Sequence, residues 1–295
     1  MPELDQFKHF LSDNSCRIQL YDTVHEYCVE AVDRLNSVAE SPPAKLDGDS
    51  LPKLLNQLHE ATSDLRSAIA LLGFWNPCTY SQLAALHSHH FIQWINSTQV
   101  SKLREIYRWY PLLLQHYSLG LGAVASSSFE LFRAFIESPY PDYRFQHHRI
   151  PAILVMDSAI SDARQLFQLL PGHEKNHTPL SEYLFDFFKS DLNEVIFLAN
   201  DFEYVFDKFE SLYYLQYSHL NERLNEGRFW SPVGRFGWKF TQRAGPDPLR
   251  DLIQDAVNAK QNWPPISAGF FDGDYSRFEE VATSFTERLS RFAWH

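Results

Sequence analysis

A chain of 295 residues that is 44% hydrophobic and 15% aromatic has too much apolar material to stay disordered and enough to bury a sizeable core. Its 37 acidic residues outweigh 26 Lys and Arg, and the formal charge of −11 argues against non-specific attraction to nucleic acid or anionic membranes. Three cysteines (Cys16, Cys28 and Cys78) form no C-x-x-C pair, which argues against a disulfide framework or zinc knuckle and fits a reducing, cytoplasmic setting.

The opening MPELDQFKHF has acids where an export signal needs a basic region and an apolar core. Helical periodicity then dominates. Over 15–40, Ile18, Tyr21, Val24, Cys28, Val32 and Leu35 recur every three or four residues, which predicts one helix ended by Ser41-Pro42-Pro43. Leu51, Leu54, Leu55, Leu58, Leu65, Ile69 and Leu72 predict a second over 51–73, stopped by Gly73 and Asn76-Pro77. Further helices are expected over 79–97, 99–110, 111–138, 151–170 and 179–226, with 139–148 an aromatic, proline-broken loop. The most apolar stretch, 110–132, carries Gln115, His116 and Glu130, so no transmembrane helix is expected.

The segment 179–226 has neither Gly nor Pro, and reads as one long spine or as two helices parted near Ser190-Asp191. Its acids, among them Glu182, Asp186, Asp191, Glu203, Asp207 and Glu210, alternate with Phe and Tyr and read as a solvated face opposite an aromatic one. After it, 227–246 holds four Gly and two Pro, and its alternation from Arg235 to Phe240 suggests a short β-hairpin or an ordered loop. A last helix should start near Asp274, where Ser276 and Glu279 have capping-box spacing and Asp274 is itself a good cap, and end near Phe292. The expected fold is all-α: an irregular bundle of about eight helices. It forms either one domain over 1–295 or two subdomains, 1–138 and 150–295.

Several motifs invite a chemical reading. His173, Glu174 and His177 spell H-E-x-x-H, which binds zinc when a helix sets the two histidines one turn apart. Pro171-Gly172 before it and Thr178-Pro179 after it predict instead a polar connector between two helices. A di-iron bundle needs two Glu-x-x-His copies, and this loop supplies one. His87 and His90 share a helical face as candidate metal ligands, and His147 and His148 stand near Asp142, yet no Cys or carboxylate lies at ligand spacing from His87 and His90. The short Arg-to-His spacing of small all-helical RNases is not met: three residues separate Arg144 from His148, and seven separate Arg17 from His25 and Arg108 from His116.

Gly120-Leu121-Gly122 with Ala125 fits the loose dinucleotide pattern, but PLLLQHYSL before it is a poor buried strand. The small residues from Gly120 to Ser126 read better as a place where two helices approach closely. Asp272-Gly273-Asp274 starts like a calcium loop but has Arg277 where that loop needs Gly. No cofactor is implied.

Residues 227–243 stand apart. Arg228, Arg235, Lys239 and Arg243, with no acid among them, interleave with Trp230, Trp238 and three Phe. Such a pattern suits an anionic ligand, single-stranded nucleic acid or an acidic peptide, or else neutralises the acids of 182–210 while its aromatics plug the core. The leading functional expectation is a cytoplasmic interaction or adaptor protein, a partner of another protein or an anionic ligand, with Arg228, Trp230, Arg235, Trp238, Lys239 and Arg243 as contacts. The alternatives are a metal-dependent hydrolase or nuclease assembled from distant histidines and acids, and a nucleic-acid-associated component of a defence or processing complex.

Overall fold

The computed structural model describes residues 2–40, 43, 45–76, 80–97, 105–141, 149–192, 195–196, 201–224, 231–242 and 246–292. It is all-α, with one small two-stranded ribbon among these residues. The chain order is α1 (Pro2–Ser12), α2 (Arg17–Glu40), α3 (Ser50–Trp75), α4 (Tyr80–Ser97), α5 (Glu105–Ser126) and α6 (Glu130–Ile136). Then follow β1 (Pro139–Pro141), β2 (Arg149–Pro151), α7 (Ala152–Ile160), α8 (Pro179–Asp191) and α9 (Phe202–Leu224). The chain closes with α10 (Phe236–Gln242), α11 (Pro248–Ala259), α12 (Pro264–Ser267) and α13 (Tyr275–Leu289). Among the described residues, no helix is long and apolar enough to cross a membrane.

There are more helices than the eight expected. No helix boundary falls at Pro111, which sits in the second turn of α5; losing one backbone donor there does not end the helix. The break comes later, where Ser127 turns left-handed at φ 59° and α6 starts anew. After α7 the chain tightens into a 3-10 helix over Ser161–Leu169. The expected division near Ser190-Asp191 is where α8 ends. Helix α11, unforeseen, has a clear start signal in Asp247-Pro248: the Asp247 carboxylate accepts from the Arg250 N–H and Pro248 occupies the first turn. For α13 the cap is Asp274, which accepts from the Ser276 N–H.

Two corrections concern extended structure. The 227–246 segment is not a hairpin where it is described: 236–242 is helix α10. One turn separates Arg235 from Lys239, so a helix puts both cations on one side, facing carboxylates. The ribbon has its first strand in the stretch expected to be loop and its second just past it, with Tyr140 opposite Ile150 and both side chains buried.

The core is continuous through α1 to α13. Its most extensive helix pairing is α3 with α5, and glycine allows their close approach: a Cβ at Gly73 would strike the Leu119 carbonyl, and one at Gly122 the Ala70 carbonyl. A Cβ at Gly120 would enter the Phe209 ring. The run of small residues is thus a helix-crossing point on α5, with no strand before it. Across this crossing lies α9, whose residues from Phe209 to Leu220 are all buried.

Candidate functional site

The described part of the basic aromatic segment docks on α8 and α9. Arg235 and Lys239 are 6% and 9% exposed. The Arg235 guanidinium lies 3.2 Å from Glu182, 3.0 Å from Glu203 and 3.7 Å from Asp207, and stacks 3.6 Å from the centre of the Phe185 ring. The Lys239 ammonium bonds Glu203 at 2.5 Å and also pairs with Asp207. The half-buried Trp238 donates its indole N–H to Glu182 at 3.1 Å. These three side chains are occupied with internal acids. Arg228, Trp230 and Arg243 lie outside the described residues.

The acids of α8 and α9 are therefore not one solvated face. Asp207 and Glu210 are buried, because α9 is surrounded on every side. Burial raises the Asp207 carboxyl above the ordinary range despite Arg235 and Lys239 beside it. Among the described residues, no cation is in hydrogen-bond contact with Glu210. It accepts from the Tyr117 hydroxyl at 2.7 Å and meets the Ser181 hydroxyl at 2.8 Å, while Ser181 accepts the Arg235 backbone N–H at 2.8 Å. Gly234 packs its Cα directly on this carboxyl. Burial pushes Glu210 up to about 7. One proton acceptor thus links α5, α8, α9 and the residues leading into α10. The signal for it in the sequence was weak: Glu210 stands among acids that looked alike.

The histidines divide by environment. His87 is buried, with its ring 4.5 Å from Phe91 and 4.6 Å from Phe135, and burial holds its pKa well down. His90 is half-buried, its ring 4.9 Å from that of His25. His173 and His177 lie in turns between two helices: His173 is buried against Tyr183 and bonds Asn176 at 3.0 Å, and His177 is exposed. H-E-x-x-H is therefore on no helix here. His147, His148 and Asp142 lie outside the described residues. Among the described residues, no group of three His, Cys, Asp or Glu stands close enough to hold a metal ion.

A different surface gathers features the sequence kept apart. Helix α2 leaves Ile18, Tyr21 and Val29 exposed, at 66%, 38% and 37%. Beside them Asp22, Glu26 and Glu30 recur every four residues, forming one row along the helix. That row borders a groove of about 550 Å³ between α1, α2 and α3, with Phe7, Phe10 and Tyr27 in its lining and Asp64 on the α3 side. Arg34, the cation of its lining, is already paired with Glu30 at 3.2 Å and Asp64 at 2.9 Å. The period of α2 showed its apolar stripe, but not that Ile18 and Tyr21 would stay outside the core.

The fold and these surfaces define an all-α protein with a buried charge cluster and an acid-rimmed aromatic groove. No family model matches the chain, and no curated protein or solved structure matches it.

Proposed function

We propose that this is a cytoplasmic interaction protein, an adaptor that receives a basic, apolar-anchored segment of a partner protein on α2 and the groove beside it. The observation that carries the reading is the exposed triplet Ile18, Tyr21 and Val29 lying beside the Asp22, Glu26 and Glu30 row on a single helix. Apolar residues that a helix leaves in water next to like charges suit a partner with both apolar anchors and cations. The aromatic residues of the groove lining favour Lys or Arg stems, which cover rings while their heads meet carboxylates. The chain's charge of −11 adds long-range attraction for a basic segment.

The test is titration with a synthetic Leu/Lys amphipathic helical peptide, using its Leu/Glu counterpart as control. The basic peptide should bind with an affinity that falls as salt rises, and the Asp22→Lys/Glu26→Lys variant should lose it. Equal binding by that variant, or by the acidic peptide, overturns the reading.

A further inference from the structure

A second cleft, remote in chemistry from the first, opens between α4 and α6 with the β ribbon at one end. Its volume is about 580 Å³, within the range of small-molecule sites. The helical spacing of α4 explains why it is open: Ser81, Ala84, Ala85 and Ser88 recur on one side, so two turns of the helix offer only small side chains there. Ile92, Ala134 and Pro139 continue the apolar lining.

Polar side chains stand around this apolar body, with His89 and Gln93 of α4 among them. Ser88 donates to the Ala84 carbonyl at 2.7 Å and Ser138 to the Ala134 carbonyl at 2.7 Å, so each hydroxyl proton is already used within its own helix or at its end. Glu137 is held by Arg133 at 3.1 Å and by the Gln216 amide at 2.7 Å. Arg149 remains. It lines the cleft from the exposed end of β2, with its neighbour Ile150 buried and anchoring the strand, and it has no ion pair with a described carboxylate. The described lining thus combines an apolar body, the paired Glu137 carboxylate, the polar side chains of His89 and Gln93, and a guanidinium that has no ion pair among the described residues.

We propose that this cleft binds a small amphipathic organic anion, its apolar body along the Ala84 and Ala85 side of α4 and its acid group on Arg149. A guanidinium on a short ribbon presents a two-pronged donor to a carboxylate or sulfonate. The rest of the surface, at net negative charge, repels such an ion, so the specificity is local. The site is independent of the α2 groove: the two share no lining residue.

The experiment uses the full chain and anilinonaphthalene sulfonate, an amphipathic anion whose fluorescence rises in apolar surroundings. A saturable signal is expected that decanoate displaces and decanol does not. Ala85→Trp, at an exposed position, fills the cleft, and Arg149→Gln removes the charge. Each should weaken binding about tenfold or more, the usual loss for one charge-assisted contact or for a blocked site. Gln93→Trp, also on the cleft wall, serves if Ala85→Trp fails to fold as judged by helical circular dichroism. Asp22→Lys/Glu26→Lys in the α2 groove should leave the dye's binding through this cleft intact. Displacement by decanol as well as decanoate, or unchanged binding in the Arg149 and cleft-filling variants, overturns the proposal. Displacement by 1-naphthoate in preference to decanoate would support it and assign a ring, rather than a chain, to the ligand's body.

Discussion

Arg66 on α3 grips Asp191 at the C-terminal end of α8 with two prongs, at 2.7 and 3.1 Å, although 125 residues separate them in sequence. The guanidinium is 2% exposed, and its remaining donor reaches the His59 carbonyl at 2.5 Å and the Thr62 hydroxyl at 2.7 Å. Beside it the His59 ring bonds the Tyr110 hydroxyl at 2.8 Å, and burial first, then Arg66, pushes its pKa down to about 3. Asp191→Ala strands a buried cation and should cost about 3–5 kcal/mol, whereas the paired change Arg66→Met/Asp191→Leu should recover most of it. Urea unfolding of the two variants decides this: equal losses would show that the pair matters for packing alone.

Glu210 sets a dependence on pH. Its folded pKa of about 7 lies above the ordinary 4.5, so the folded state binds the proton more tightly than the unfolded chain. The stability it contributes is fully present below about pH 4.5 and is lost as pH rises through 7, a change on the order of 3 kcal/mol. Asp207 is raised in the same direction, and Arg235 opposes the shift of both. Glu210→Gln keeps a neutral group between Tyr117 and Ser181. Its stability should therefore fall less than the parent's between pH 5 and 8, and parallel curves would contradict the assignment.

The crossing of α3 and α5 gives a sign test. Replacing an interior helical Gly with Ala ordinarily gains up to about 1 kcal/mol. At Gly122 the new methyl meets the Ala70 carbonyl oxygen, which is backbone and cannot swing aside. Overpacking should win, leaving Gly122→Ala less stable by about 1–3 kcal/mol. A rise in melting temperature would mean that the helices can part at little cost.

Lys239 and Glu203 should differ although they touch. Glu203 is 55% exposed, and Glu203→Gln should change stability by less than about 1 kcal/mol. Lys239→Met leaves the buried Asp207 with Arg235, 3.7 Å away, as its one described cation and should cost about 3 kcal/mol. A Lys239→Met variant as stable as the parent would release this lysine from its internal role and restore it as a ligand contact.

What the sequence disclosed follows from how locally each feature is determined. Helices α2, α3 and α4 were legible because their apolar residues keep one period over many turns, and the connector around His173 because Pro and Gly punctuate it. The close approach at Gly120 and Gly122 was legible from residue size. Helix α10 was not: seven residues are too few for a period to emerge, and its stability comes from Glu182, Glu203 and Asp207 on other helices. Asp207 and Glu210 were misread because a helix enclosed on all sides has no wet face, and periodicity presumes one. The cleft at Arg149 depends on which small residues of α4 meet α6, which is a tertiary fact.

Twelve consecutive residues of α9, Phe209 to Leu220, lie out of water, and their neighbours come from α5, from α8 and from α13 near the chain's end. Such a helix cannot open alone without exposing surfaces on all its partners, so its backbone amides should exchange with deuterium only when the whole molecule unfolds. It also cannot be completed during synthesis until α13 has left the ribosome. Until then the side that α11 and α13 cover stays open even though α5 and α8 are in place, so the nascent chain exposes apolar surface that the finished protein buries.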